Sequence, residues 1–126
     1  MAITKNAGRQ WPLVATVTMA AAAIPAVATY EAIDLPAGAM VTGGVLEVIT
    51  TDSGGGTIAV HIGSTVLLAA TNSTPASRTF ITETDVVTTA ADTVDIVVAA
   101  FVLTTAVVRL TIEYIIDGRA NEVQPV

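Results

Sequence analysis

Along residues 108–116, Val108, Leu110, Ile112, Tyr114 and Ile116 alternate with Arg109, Thr111 and Glu113. A period of two held over that length predicts a strand with one face in a core and one in water. The same alternation recurs earlier. Ile58, Val60 and Ile62 are interleaved with Thr57, Ala59 and His61, and Val94, Ile96 and Val98 with Thr93, Asp95 and Val97. Leu13, Ala15, Val17 and Met19 alternate with Val14, Thr16 and Thr18. Residues 27–35 and 41–51 are further candidates, the second strongly β-branched with Gly43-Gly44 marking a bulge. Residues 65–70 and 78–82 complete the set as shorter strands.

Turn chemistry separates these runs. Pro36-Ala37-Gly38, Asp52-Ser53-Gly54-Gly55-Gly56, Gly63-Ser64, the polar residues 71–77 and Asp117-Gly118-Arg119 all punctuate the pattern. The Ala20–Ala23 run predicts either a short helix or an extended connection, because Pro25 stops any helix within a turn or two. About eight short strands and no long helix predict an all-β, single-domain β-sandwich or jelly roll over residues 11–126. Residues 1–10 are polar and without periodicity, and form an N-terminal arm; residues 120–126 form a tail.

Composition changes the picture in one respect. Hydrophobic residues make up 52% of the chain, yet only 13% are charged, about half the usual share. With a mean hydropathy of +0.71, such a domain is expected to hide surface in an assembly. An obligate oligomer, a homotrimer by preference, is the expected form. The net charge of −6 is spread without a basic cluster, since Lys5, Arg9, Arg78, Arg109 and Arg119 are scattered. That disfavours nucleic acid as a partner. There is no cysteine, so packing and sheet hydrogen bonds must hold the fold.

Residues 11–30 follow Lys5 and Arg9 without a charge, and Ala26-Val27-Ala28 resembles a signal cleavage site. Pro12 and Pro25, the interruptions at Thr16 and Thr18, and the period of two favour a strand instead. No run of about twenty strongly apolar residues predicts a membrane helix.

A search for chemistry finds little. His61 is the only histidine and falls on the outward side of its strand. Ser64 lies near it without a nucleophile-elbow spacing, and one histidine cannot lead a zinc site. Glu83 with Asp85, and Asp92 with Asp95, are carboxylate pairs outside any EF-hand pattern. Gly54-Gly55-Gly56 lacks the Gly-Lys-Ser/Thr of a phosphate loop and is expected to be a flexible hairpin tip. No catalytic residue, metal site or cofactor site is assigned, and an enzyme is not expected.

Two segments stand out as contact surfaces. Ala99-Ala100-Phe101-Val102-Leu103 is apolar where a turn should be polar. Either the flanking strands run longer and bury it, or Phe101, Val102 and Leu103 form an interface. In the arm, Lys5 and Arg9 precede Trp11, the only tryptophan; a short basic arm with an aromatic anchor suits docking on an acidic neighbour.

Leu35-Pro36-Ala37-Gly38-Ala39-Met40-Val41-Thr42-Gly43-Gly44, Thr89-Ala90-Ala91-Asp92-Thr93-Val94-Asp95 and Tyr114-Ile115-Ile116-Asp117-Gly118-Arg119-Ala120-Asn121-Glu122 resemble small virion proteins of tailed bacteriophages. The likeness runs from about Leu35 to the C-terminus, through turn-and-strand signatures that carry no chemistry. Proteins of this type look like capsid decoration (cement) proteins. The resemblance implies an often trimeric β-sandwich on the outer surface of the virion capsid, at local three-fold positions. Its partners would be copies of itself and the major capsid protein, with neither DNA nor membrane involved. The implied function is mechanical, clamping capsomers against packaged DNA. Two departures from that pattern bear on the partner surface: His61-Ile62-Gly63-Ser64 replaces an acidic Gly-Asp turn, and Phe101-Val102-Leu103 replaces a small Gly- or Pro-containing loop. The rival expectation is a tail-associated or receptor-binding β module of the virion, which 4% aromatic residues make the weaker one. A secreted surface or pilus-like subunit would need the signal segment disfavoured above.

Overall fold

The computed structural model describes residues 8–9, 11–74, 76–81, 86–118 and 122–123. Among these residues ten strands run in chain order: β1 (Gly8–Arg9), β2 (Leu13–Ala20), β3 (Thr29–Leu35), β4 (Ala39–Thr50), β5 (Thr57–Ile62), β6 (Thr65–Asn72), β7 (Ser77–Phe80), β8 (Asp92–Ala99), β9 (Val107–Ile116) and β10 (Glu122–Val123). The alanine run becomes a single 3₁₀ turn, Ala21–Ala23.

Two antiparallel four-stranded sheets face each other. Sheet I has the order β2-β9-β4-β7 and sheet II the order β3-β8-β5-β6. Successive strands switch sheets, except for the β5–β6 hairpin, which gives the jelly-roll-like alternation of two interlocked Greek keys. The expected all-β sandwich is what forms, with eight strands in its body. The short β1 and β10 make a separate two-stranded pair, Gly8 opposite Val123 and Arg9 opposite Glu122. Of the expected arm, residues 1–7 and 10 lie outside the described residues; the described part pairs with the predicted tail.

Alternation places the core. Val108, Leu110 and Ile112 of β9 are fully buried, as are Ile58 and Val60 of β5 and Val94, Ile96 and Val98 of β8. They meet Val41 and Leu46 of β4 and Ile33 and Leu35 of β3 in one cluster between the sheets. The Gly43-Gly44 bulge forms as expected: β4 shifts register against β9 between Val41 and Gly43. Gly44 is required there, because a Cβ would lie 2.5 Å from Thr111 O and 3.0 Å from a methyl of Ile81. Gly43, one residue away, would meet nothing within 4 Å.

Pro36-Ala37-Gly38 turns as predicted, with Gly38 at φ +79°. The buried Thr88 fastens this turn. Its hydroxyl donates to Pro36 O at 2.8 Å and accepts from Ala39 N at 3.0 Å, so the β7–β8 connection is tied to the start of β4.

Candidate interaction surfaces

Three surfaces of the sandwich carry features beyond what the fold itself requires: one loop end and the two outer sheet faces. At the loop end, the β4–β5 and β8–β9 connections are joined by Asp52, which is only 2% exposed. Its Oδ1 accepts from Thr104 N at 2.7 Å, Thr105 N at 3.1 Å and Thr104 Oγ1 at 3.2 Å. Its Oδ2 accepts from Gly54 N at 2.9 Å and Gly56 N at 3.4 Å. Burial alone would push the carboxyl up; the N–H groups of Thr104, Thr105 and Gly56 and the Thr104 hydroxyl outweigh it and hold Asp52 well below the usual carboxylate range.

The glycine segment is therefore not a flexible hairpin tip. It crosses from sheet I to sheet II and is pinned by Asp52 and by the buried Ser73, whose hydroxyl donates to Gly56 O. It also lies flat under its neighbour: a Cβ on Gly54 would be 2.6 Å from Val102 O, and one on Gly56 2.5 Å from Phe101 O. Only glycine permits that approach.

This platform presents the apolar segment. Ala100 takes φ +67°, and the three predicted contact residues divide. Leu103 points into the core at 4% exposure, whereas Phe101 and Val102 stand out at 63% and 46%. The flanking strands do not run longer, ending at Ala99 and resuming at Val107, so the core takes Leu103 from the connection itself and leaves Phe101 and Val102 on the surface.

On the outer face of sheet I, opposed residues give rows across the strands, since directly paired side chains share a face. One row is Thr16–Thr111–Val45–Phe80, and the next is Thr18–Arg109–Glu47–Arg78. Thr16 and Thr111 hydroxyls meet at 3.3 Å. Arg109 donates from Nη2 to Glu47 Oε2 at 3.0 Å and from Nε to Oε1 at 3.3 Å, and Arg78 Nε reaches Oε2 at 3.3 Å. The Arg109 hydrogen bond, with the charges of both arginines, lowers the Glu47 carboxyl despite the opposing effect of burial. Basic residues that look scattered in sequence here converge on one glutamate. Phe80, at 70% exposure, closes the apolar row.

The outer face of sheet II is different in kind. A row crosses all four strands as Glu31–Asp95–His61–Val66. Asp34, opposite Thr93, lies in the next row, whereas Asp92 pairs with the buried Leu35 at the start of its strand. Asp95 accepts from the Thr93 hydroxyl at 2.6 Å, and no lysine or arginine occurs in the four strands. Of the predicted carboxylate pairs, Glu83 and Asp85 lie outside the described residues. Among the described residues no group of three or more His, Cys, Asp or Glu converges as a metal site would require, and none of the helical segments is long and apolar enough to cross a membrane.

The predicted contact residues are not brought together. Trp11, 70% exposed, precedes Leu13, which pairs with Tyr114 near the end of β9. Phe101 and Val102 precede the start of β9 at Val107. The 10 residues of β9 separate the two places by about 33 Å. Lys5 lies outside the described residues, and Arg9 is described only as a strand residue opposite Glu122. Sequence reasoning missed Asp52, Glu47 and Phe80. Asp52 followed by glycines is an Asx-turn signature that could have suggested its bond to Gly54; nothing local points to Thr104.

A chain from the acidic stable capsid structure of Helicobacter pylori bacteriophage KHP30 has a similar fold, with a TM-score of 0.67 over 97% of each chain and 17% sequence identity. At that identity the likeness is one of fold. No protein-family model matches the chain, and no curated protein matches it.

Proposed function

We propose that this chain is a structural protein of a bacteriophage virion that decorates the outside of the capsid, binding between capsomers as a homotrimer. The observation that carries the reading is the end-to-end likeness of its fold to a chain of a phage capsid. The segments resembling phage virion proteins and the low charge content point the same way. Its work would be adhesion and not catalysis.

The positions of the contact residues suit a clamp. An aromatic side chain stands near each end of the sandwich, Trp11 at one and Phe101 at the other, so one copy can touch two neighbours on the shell. Phe101 and Val102 rest on a platform held by the hydrogen bonds of Asp52, which would limit the ordering cost of docking. The arm, residues 1–10, with Lys5 and Arg9, would dock on an acidic surface of a neighbouring subunit or of the major capsid protein.

Quantifying the protein in purified virions and locating it by electron cryo-microscopy tests this reading. Many copies spread over the head are expected. A few copies confined to a tail or a single vertex would overturn the decoration role.

A further inference from the structure

The outer face of sheet I matches a copy of itself, and we propose that two copies pack there face to face about a two-fold axis. The axis would run along the row Thr16–Thr111–Val45–Phe80, in the plane of the contact and at right angles to the strands. This contact goes beyond the virion role proposed above and does not depend on it.

A two-fold axis in that position exchanges residues equally spaced from the row on one strand. On β9, Arg109 and Glu113 flank Thr111, each about 7 Å away along the strand. Arg109 of each copy therefore lies over Glu113 of the other, and the opposite charges meet twice. On β4, Glu47 and Gly43 flank Val45 by register. The bulky Arg109–Glu47–Arg78 cluster of one copy then lies over Gly43 of its mate, where the surface is open for at least 4 Å around the missing Cβ. On β2, Val14, 62% exposed, lies over Thr18.

Along the axis each residue meets its own counterpart. Val45 meets Val45, and Phe80 meets Phe80, an exposed aromatic anchor of the kind that dominates interfaces. Sheets packed this way sit about 10 Å apart with strands within about 30°. The charges of the face balance, Arg78 and Arg109 against Glu47 and Glu113. The outer face of sheet II has no such balance: Glu31, Asp34 and Asp95 lie on it by register, with no lysine or arginine in the sheet. Stacked on itself it would set acid against acid, so charge selects sheet I.

The absence of native cysteine makes the test direct. A Val45→Cys variant of the full chain, treated with a short bis-maleimide, should become a covalent dimer, while Val97→Cys on the outer face of sheet II should form no covalent dimer. Val14→Cys and Thr18→Cys should each form none alone and cross-link when mixed. Phe80→Asp and Glu113→Lys should each weaken self-association in sedimentation equilibrium by roughly tenfold or more, equivalent to about 1.4 kcal/mol. The two-fold contact is overturned if Val45→Cys cross-links no better than Val97→Cys, or if Phe80→Asp sediments like the unaltered protein.

Discussion

Thr104 donates its backbone N–H to Asp52 Oδ1 at 2.7 Å, joining two connections that lie 52 residues apart in the chain. The bond is part of a set in which one buried carboxylate serves both loops. Removing it leaves several N–H groups without an acceptor. Asp52→Ala is expected to destabilise the fold by about 2–4 kcal/mol, read as a lower urea midpoint at neutral pH. A loss below about 0.5 kcal/mol would mean that water replaces the carboxylate freely.

The same residue sets a pH dependence. In the fold its carboxyl lies well below the ordinary value, so on acidification the unfolded chain takes up the proton first. Its stabilising effect is complete above about pH 5 and declines below about pH 4, near the unfolded value; it is lost only as the pH falls through the much lower folded value. The stability gap between the unaltered protein and Asp52→Asn should stay flat from pH 7 to about 5, then narrow. A gap that widens in acid would contradict the hydrogen-bond geometry.

Gly43 and Gly44 are neighbours with opposite tolerance. Gly44→Ala drives a methyl against Thr111 O and Ile81 and should cost on the order of 1–3 kcal/mol. Gly43→Ala has open space and should fold with a nearly unchanged melting temperature. Equal effects would place the bulge one residue away from Val41/Gly43.

Strand β9 allows a test of facing. Ile112→Ala, at a fully buried position, should cost about 2–5 kcal/mol. Thr111→Ala, next to it on the outer face, should cost under about 1 kcal/mol. Chemical denaturation of the pair checks the register.

The apolar loop separates stability from adhesion. Phe101→Asp and Val102→Asp should leave thermal unfolding nearly unchanged, because both side chains are exposed, yet lower the occupancy of capsids under the proposed role. Leu103→Ala should do the reverse and lower the melting temperature. Binding to purified capsids measured beside calorimetry distinguishes them; a phenylalanine-to-aspartate variant that binds normally would remove this tip from the contact.

Much of the sandwich was legible because alternation is a local property. Val108, Leu110 and Ile112, like Val94, Ile96 and Val98, announce their inward face without reference to any partner. Pairing is not local. Thr16 meets Thr111 only once the sheet exists, and so do Arg78 and Arg109 around Glu47. Asp52-Ser53-Gly54-Gly55-Gly56 suggested freedom because glycine permits it; in the fold the same lack of side chains allows the close approach of Phe101 O and Val102 O. Composition carries no mark that tells these two uses of glycine apart.

The order β2-β9-β4-β7 has a consequence for synthesis. In sheet I the strand made last among its members, β9, lies between β2 and β4. A nascent chain that has emerged as far as β8 can form the β5–β6 hairpin and pair β3, β8 and β5, but β2 and β4 still lack the neighbour that joins them. Closure waits for residues 107–116, and the loop it closes spans nearly the whole chain. Such topologies fold slowly and leave apolar edges exposed meanwhile. Ribosome-stalled chains should therefore gain protease resistance abruptly when β9 clears the exit tunnel, and not in steps as each earlier strand appears.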